Sequence, residues 1–166
     1  MMGLKVPYAK IRIFTDKIRC MADINKEIES LFETYKNAVS QKDLETYSSI
    51  FDEKVRVFDM WEQWTYDGLA AWKGMAKDWF SSLGSDRDVI TFDDIQIQTS
   101  GEMAIVSAFV RFTAVSETGE ALRYLDNRLT WVVLKKEGTW KIVHQHTSGP
   151  IDFKTMKVVL RRGKPA

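Results

Sequence analysis

The chain has 166 residues, of which 45% are hydrophobic, 28% charged and 12% aromatic, a mix that suits one globular domain with a substantial core and argues against disorder. Its net charge of +1 is unevenly spread: residues 1–20 carry Lys5, Lys10, Arg12, Lys17 and Arg19 against Asp16, residues 151–166 carry Lys154, Lys157, Arg161, Arg162 and Lys164 against Asp152, and the body between is acidic. An acidic body excludes a nucleic-acid groove, which needs a basic stripe, and no apolar run approaches the roughly 20 residues that span a bilayer.

Residues 1–20 lack the apolar core of a secretory signal and read as an extension ahead of the domain, with a cytoplasmic location expected. Cys20 is the only cysteine, which excludes an intrachain disulfide and a four-cysteine zinc site. The domain itself is placed at 21–150. A first helix is expected over 23–41, capped by Asp23 or Asn25, because Ile24, Ile28, Leu31, Phe32, Tyr35 and Val39 recur at helical spacing. Asp43 caps a short second helix carrying Leu44, Tyr47, Ile50 and Phe51.

Val55-Arg56-Val57-Phe58-Asp59 alternates as a strand and places Val55, Val57 and Asp59 on one face. The aromatic stretch 61–66 ends at a turn, Asp67-Gly68. Leu69, Trp72, Ala76, Trp79, Phe80 and Leu83 form a third helical stripe, which Gly84 stops. From residue 89 the period becomes two. Segments 89–99, 103–115, 121–136 and 139–148 read as strands, and the turns at Ser100-Gly101, Thr118-Gly119 and Glu137-Gly138 are too short for anything but antiparallel hairpins. The segment after Pro150 reads as a basic, solvated tail that Gly163 and Pro165 loosen.

This order implies an α+β fold: a cone-shaped, curved antiparallel sheet with three N-terminal helices packed on its concave face. Bent sheet and helices cannot close perfectly at the open end, so a ligand cavity is expected there. Asp59, among Val57, Phe58, Met60 and Trp61, is the first candidate for chemistry, since a carboxylate facing an apolar pocket gains basicity and can take a proton. Tyr35 belongs to the first apolar stripe, so its hydroxyl points inward and needs a partner. Trp64 and Trp79 are candidates to line the cavity. His144 and His146 share a face of the last strand with Trp140. If Trp140 faces the helices, both histidines face the cavity; if Val143, Gln145 and Thr147 do, the histidines lie outside; a bulge would mix the two. No third ligand accompanies the histidines, so no metal is assigned, and with no Walker loop, dinucleotide fingerprint or nucleophile elbow no cofactor is expected.

Taken together, residues 23–150 resemble the nuclear transport factor 2-like superfamily, which includes ketosteroid isomerases and SnoaL-type polyketide cyclases. Arg128-Leu129-Thr130 followed by Gly138-Thr139-Trp140-Lys141-Ile142-Val143-His144-Gln145-His146-Thr147-Ser148 looks most like the SnoaL-like branch. The resemblance to ketosteroid isomerases implies roles for two residues 24 apart, with Tyr35 as an oxyanion-binding phenol and Asp59 as a base. It also matches Thr130 to that family's neutral, proton-donating aspartate, and makes Arg128 on the same face a cation in or near the cavity. Gly138–Pro150 and the Phe109-Val110-Arg111 run also resemble the association domain of calcium/calmodulin-dependent kinases, which implies a pocket arginine at Arg111. Arg128, Thr130, Arg111 and His146 are therefore candidate ligand contacts. Two readings stand: cofactor-free proton transfer on a small apolar carbonyl compound, or a non-catalytic ligand-binding and assembly domain. In both, the partners are a small molecule and a second copy of the chain docked through the outer sheet face.

Overall fold

The computed structural model describes the backbone of residues 8–163 and the side chains from Ile24 onward. The elements in chain order are α1 (Tyr8–Gln41), α2 (Leu44–Ser49), β1 (Phe51–Phe58), β2 (Tyr66–Asp67), α3 (Leu69–Ser82), β3 (Arg87–Ser100), β4 (Met103–Val115), β5 (Ala121–Lys136) and β6 (Thr139–Ser148). The expected elements are present, with one correction at the start. Helix α1 begins at Tyr8, so Asp23 and Asn25 are interior helical positions and cap nothing. The residues before them already adopt helical backbone, and a cap is needed only where a helix starts.

The apolar stripe of α1 behaves as its spacing demands, for Ile28, Leu31, Phe32, Tyr35 and Val39 are all buried. Asp43 caps α2 by accepting a hydrogen bond from the Thr46 amide at 3.0 Å. Helix α3 buries Trp72, Ala76 and Phe80. It starts at Gly68, whose φ of +85° only glycine adopts without strain.

The strands form one six-stranded sheet in the order β2-β1-β6-β5-β4-β3. From β3 to β6 it is an antiparallel meander, while β1 returns to pair parallel with β6. Four register irregularities interrupt it, among them one in β3 and one in β6. In β3 the register slips between Asp93 and Gln96, where Asp94 takes a φ of +52°. In β6 the register slips at Val143, so Trp140 and Ile142 face inward on one side of the slip and Gln145 and Thr147 on the other. The bulge thus selects the mixed register among the three open alternatives, and it turns His144 and His146 to the outer face. His144 is fixed there by a 2.8 Å contact between its Nδ1 and the Arg56 carbonyl.

The core is aromatic. Trp131, fully buried at the sheet centre, lies 4.8 Å from the Phe32 ring and 5.8 Å from those of Tyr35 and Phe92. Burying rings of this size removes 150–250 Å² of surface each, on the order of 3–5 kcal/mol apiece.

The segment after β6 is not the loose tail its composition suggests. Ile151 bridges to Val158 and the Val159 amide donates to the Pro150 carbonyl, closing a small hairpin. The chain then runs beside β5, where the Asp126 amide donates to the Leu160 carbonyl at 2.8 Å. The Arg162 amide donates to Asp126 Oδ2 at 2.8 Å, and its side chain pairs with Asp93. Gly149 permits this return: a Cβ there would stand 2.6 Å from a Val158 methyl. Lys164 and Pro165 lie outside the described residues.

Candidate functional site

Strand β1 points Val55 and Val57 into the core, and the same alternation carries Asp59, one residue past the strand end, toward the open end of the cone. Parallel pairing of Phe58 with His146 brings Thr147 alongside. The Met60 amide donates to Thr147 Oγ1 at 3.2 Å, and that hydroxyl donates to Asp59 Oδ1 at 2.6 Å. Among the described residues no lysine or arginine pairs with Asp59. Burial therefore dominates and holds its carboxyl above the ordinary range, with the Thr147 hydrogen bond pulling back.

Asp59 opens onto a cavity of about 1020 Å³ bounded by α1, α2, α3, the meander and the returning C-terminal segment. Tyr35 and Tyr47 stand side by side in it, ring centroids 5.2 Å apart. Burial pushes both phenols well above their usual pKa, so both remain neutral donors. Three buried polar atoms on the cavity lining have no hydrogen-bond partner: the Tyr47 hydroxyl, Trp72 Nε1 and Asn127 Oδ1. Such groups cost about 1–3 kcal/mol each when left unmet, and all three belong to residues of the cavity lining.

A second carboxyl shares the cavity. Asp88, at the start of β3, is 8% exposed and accepts a 2.9 Å hydrogen bond from Trp79 Nε1. Burial raises it as well. Gln145 is also buried on the lining, its Oε1 held by Trp131 Nε1 at 2.8 Å.

Of the residues singled out from the sequence, Asp59, Tyr35 and Trp79 meet in this cavity. The others do not. Arg128 and Thr130 lie on the outer face of β5, because the inward positions are Asn127, Leu129 and Trp131. Arg111 is on the outer face of β4, where its Nε meets Asp126 Oδ1 at 2.6 Å. His146 faces outward beyond the β6 bulge. Trp64 is 95% exposed in the loop after β1, while its neighbour Trp61 lines the cavity. The residues missed were Tyr47, Asp88, Asn127 and Thr147. For Asp88 a signal existed: it precedes the buried Ile90 by two, so the period of β3 places it inward. Among the described residues no three His, Cys, Asp or Glu side chains gather as metal ligands, and no helix is long and apolar enough to cross a membrane.

This sheet, its helices and its hollow define a nuclear transport factor 2-like pocket protein. A family model described as the SnoaL-like domain matches residues 28–152, and the chain belongs to that family. Comparison with curated proteins gives no match. Among solved structures, the chain is similar to a nuclear transport factor 2-like protein of unknown function from Pseudomonas putida KT2440, with a TM-score of 0.76 and 19% identity over 86% of this chain and 97% of that one. It is also similar to ActVI-ORFA from Streptomyces coelicolor, with a TM-score of 0.68 and 13% identity over 76% and 96%. A putative calcium/calmodulin-dependent protein kinase II association domain from Xanthomonas campestris gives a TM-score of 0.59 and 16% identity over 74% and 84%. At these identities the likeness is one of fold.

Proposed function

We propose that the cavity binds a small, mostly apolar carbonyl compound and that Asp59 moves a proton on it. The observation that carries this reading is a half-buried carboxylate without a cationic partner among the described residues, held by one hydroxyl and facing the hollow. A carboxyl so placed has its proton affinity raised toward that of a useful general base. In this reading Asp59 removes a proton from the carbon beside the carbonyl and returns it to the same or another position. The phenols of Tyr35 and Tyr47 donate to the oxygen as it gains charge, which is the largest stabilisation such a site offers. Trp72 Nε1 is a further donor on the same lining. Asp88, whose carboxyl burial also raises above the ordinary range, is the second proton carrier.

The test needs no knowledge of the natural substrate. Small cyclic and aryl ketones are incubated with the protein in deuterated water, and label entering beside the carbonyl is followed by mass spectrometry. Asp59→Asn is expected to lower exchange by about 100-fold or more. Unchanged exchange would remove Asp59 from the chemistry.

A second reading, a non-catalytic ligand-binding or self-assembly domain, is supported by the likeness to the putative association domain and by Met103 and Ile105, which are exposed on the outer face of β4. Apolar groups on a sheet face favour pairing with a second copy. Sedimentation at micromolar concentration showing monomer alone would count against it.

A further inference from the structure

The charged groups on the cavity lining are sorted by wall. Asp59 and Glu62 come from the segment after β1, Asp78 from α3 and Asp88 from the start of β3. The cations, Arg123 and Arg161, come from the start of β5 and the returning C-terminal segment. Three other arginines of the described residues are paired, and Arg87 and Arg128 are not on the cavity lining. Arg56 pairs with Asp67, Arg111 with Asp126 and Arg162 with Asp93. Arg123 and Arg161 have no carboxylate within ion-pair distance among the described residues, although both line a hollow that also holds four acids.

Arg161 is placed there by structure, not by chance of a free end. The Leu160 carbonyl before it is bound by the Asp126 amide, and the Arg162 amide after it is bound by the Asp126 carboxylate. Its guanidinium lies 4.9 Å from the Tyr124 ring centre, and the guanidinium of Arg111 lies 4.3 Å from the same ring. Two like charges on one ring repel unless each is balanced. Asp126 balances Arg111, and among the described residues no carboxylate stands within ion-pair distance of Arg161.

We propose that Arg123 and Arg161 form a carboxylate-binding rim, so that the ligand of this cavity is an amphiphilic acid: an apolar body inside and one ionised carboxylate at the mouth. The proposal rests on the reading of the cavity as the ligand site. A monoanion suits the lining, because Glu62 and Asp78 already bring negative charge to the opposite wall and a dianion would add to it. Guanidinium groups bind planar carboxylates through paired N–H donors, and a carboxylate at the rim would link β5 to the C-terminal segment. Arg123 already pulls the Asp88 carboxyl down against the burial that raises it, so the cations of the rim act across the cavity. The body of the acid then lies against Trp61, Trp72 and Trp79, with its carbonyl within the cavity of Asp59.

A charge-only probe pair decides the matter. The affinities of 2-naphthylacetate and its uncharged amide are measured by calorimetry and by quenching of tryptophan fluorescence. The acid is expected to bind about tenfold tighter than the amide. The double variant Arg123→Gln/Arg161→Gln should erase that preference and leave amide binding intact, which also shows that the variant is folded. Arg128→Gln, an exposed arginine on the outer face, should retain the preference. Equal affinity of acid and amide for the wild-type protein would overturn the rim and leave the cavity standing. A preference surviving in the double variant would overturn the assignment to these two arginines. Binding of neither probe would overturn the rim and the cavity reading together.

Discussion

Thr147→Val isolates the contact that holds the candidate base. Thr147 is 4% exposed, so the substitution exchanges a hydroxyl for a methyl of similar shape and opens no cavity. What is lost is a 2.6 Å hydrogen bond donated to Asp59 and a 3.2 Å one accepted from the Met60 amide. A hydrogen bond to an ionised group contributes about 1.5–3 kcal/mol and a neutral one about 1 kcal/mol. The two share one hydroxyl and do not add fully, so the expected cost at pH 7 is about 2–3 kcal/mol. At about pH 3, below the ordinary aspartate value and so further below the raised folded one, Asp59 takes up its proton and the cost should fall to about 1 kcal/mol. Urea unfolding at the two pH values reads both numbers. The same substitution in an Asp59→Asn background should cost about 1 kcal/mol at either pH. If Thr147→Val costs the same at pH 7 with and without the Asp59 charge, the two groups are not coupled and the account of how Asp59 is held is wrong.

Other consequences can be measured as directly. Because the Asp59 pKa is raised on folding, its contribution is fully favourable below the ordinary aspartate value and is lost as pH rises through the folded value. Asp59→Asn should therefore unfold at higher denaturant than the wild type at pH 7, an advantage that shrinks toward pH 4. Tyr47→Phe removes a buried hydroxyl without a partner and should stabilise the empty protein by about 1 kcal/mol while weakening ketone binding, read by thermal shift with and without ligand. Asp126→Ala deletes the carboxylate that holds the Arg111 side chain and the Arg162 amide, so brief trypsin treatment should cleave at Lys157 or Arg161 faster than in the wild type. Gly149→Ala should do the same by driving a methyl against Val158.

Much of this fold was legible because its signals are local. The change from a helical period to a period of two, with glycine turns between strands, marks the meander from one sequence. Asp59 was found for the same reason, since alternation from Val55 extends to it. The errors share a different cause. Arg128 and Thr130 were placed inward through family resemblance, and a shift of one residue sends a strand side chain to the opposite face. The bulge at Val143 has no residue-type signature, so the histidine faces could not be chosen. Tyr47 and Asn127 read as ordinary core or strand residues, and their unmet hydrogen bonds exist only once helices and sheet are assembled. The fixed course of residues 150–162 depends on Asp126, a partner distant in sequence, which composition does not reveal.

The parallel pairing of β1 with β6 also sets a timetable for the chain. Thr147 and Asp59 are separated by 88 residues, and the cavity wall is completed by Leu160 and Arg161 later still. A nascent chain that has made β1 can pair one of its edges with β2, but the other edge waits for β6 until almost everything else has been synthesised. Contacts of such long range slow folding and leave a strand edge open to wrong partners in the meantime. A stop codon before β6 would thus release a polypeptide whose first strand has one open edge, and its fate would be aggregation or degradation instead of a smaller working pocket.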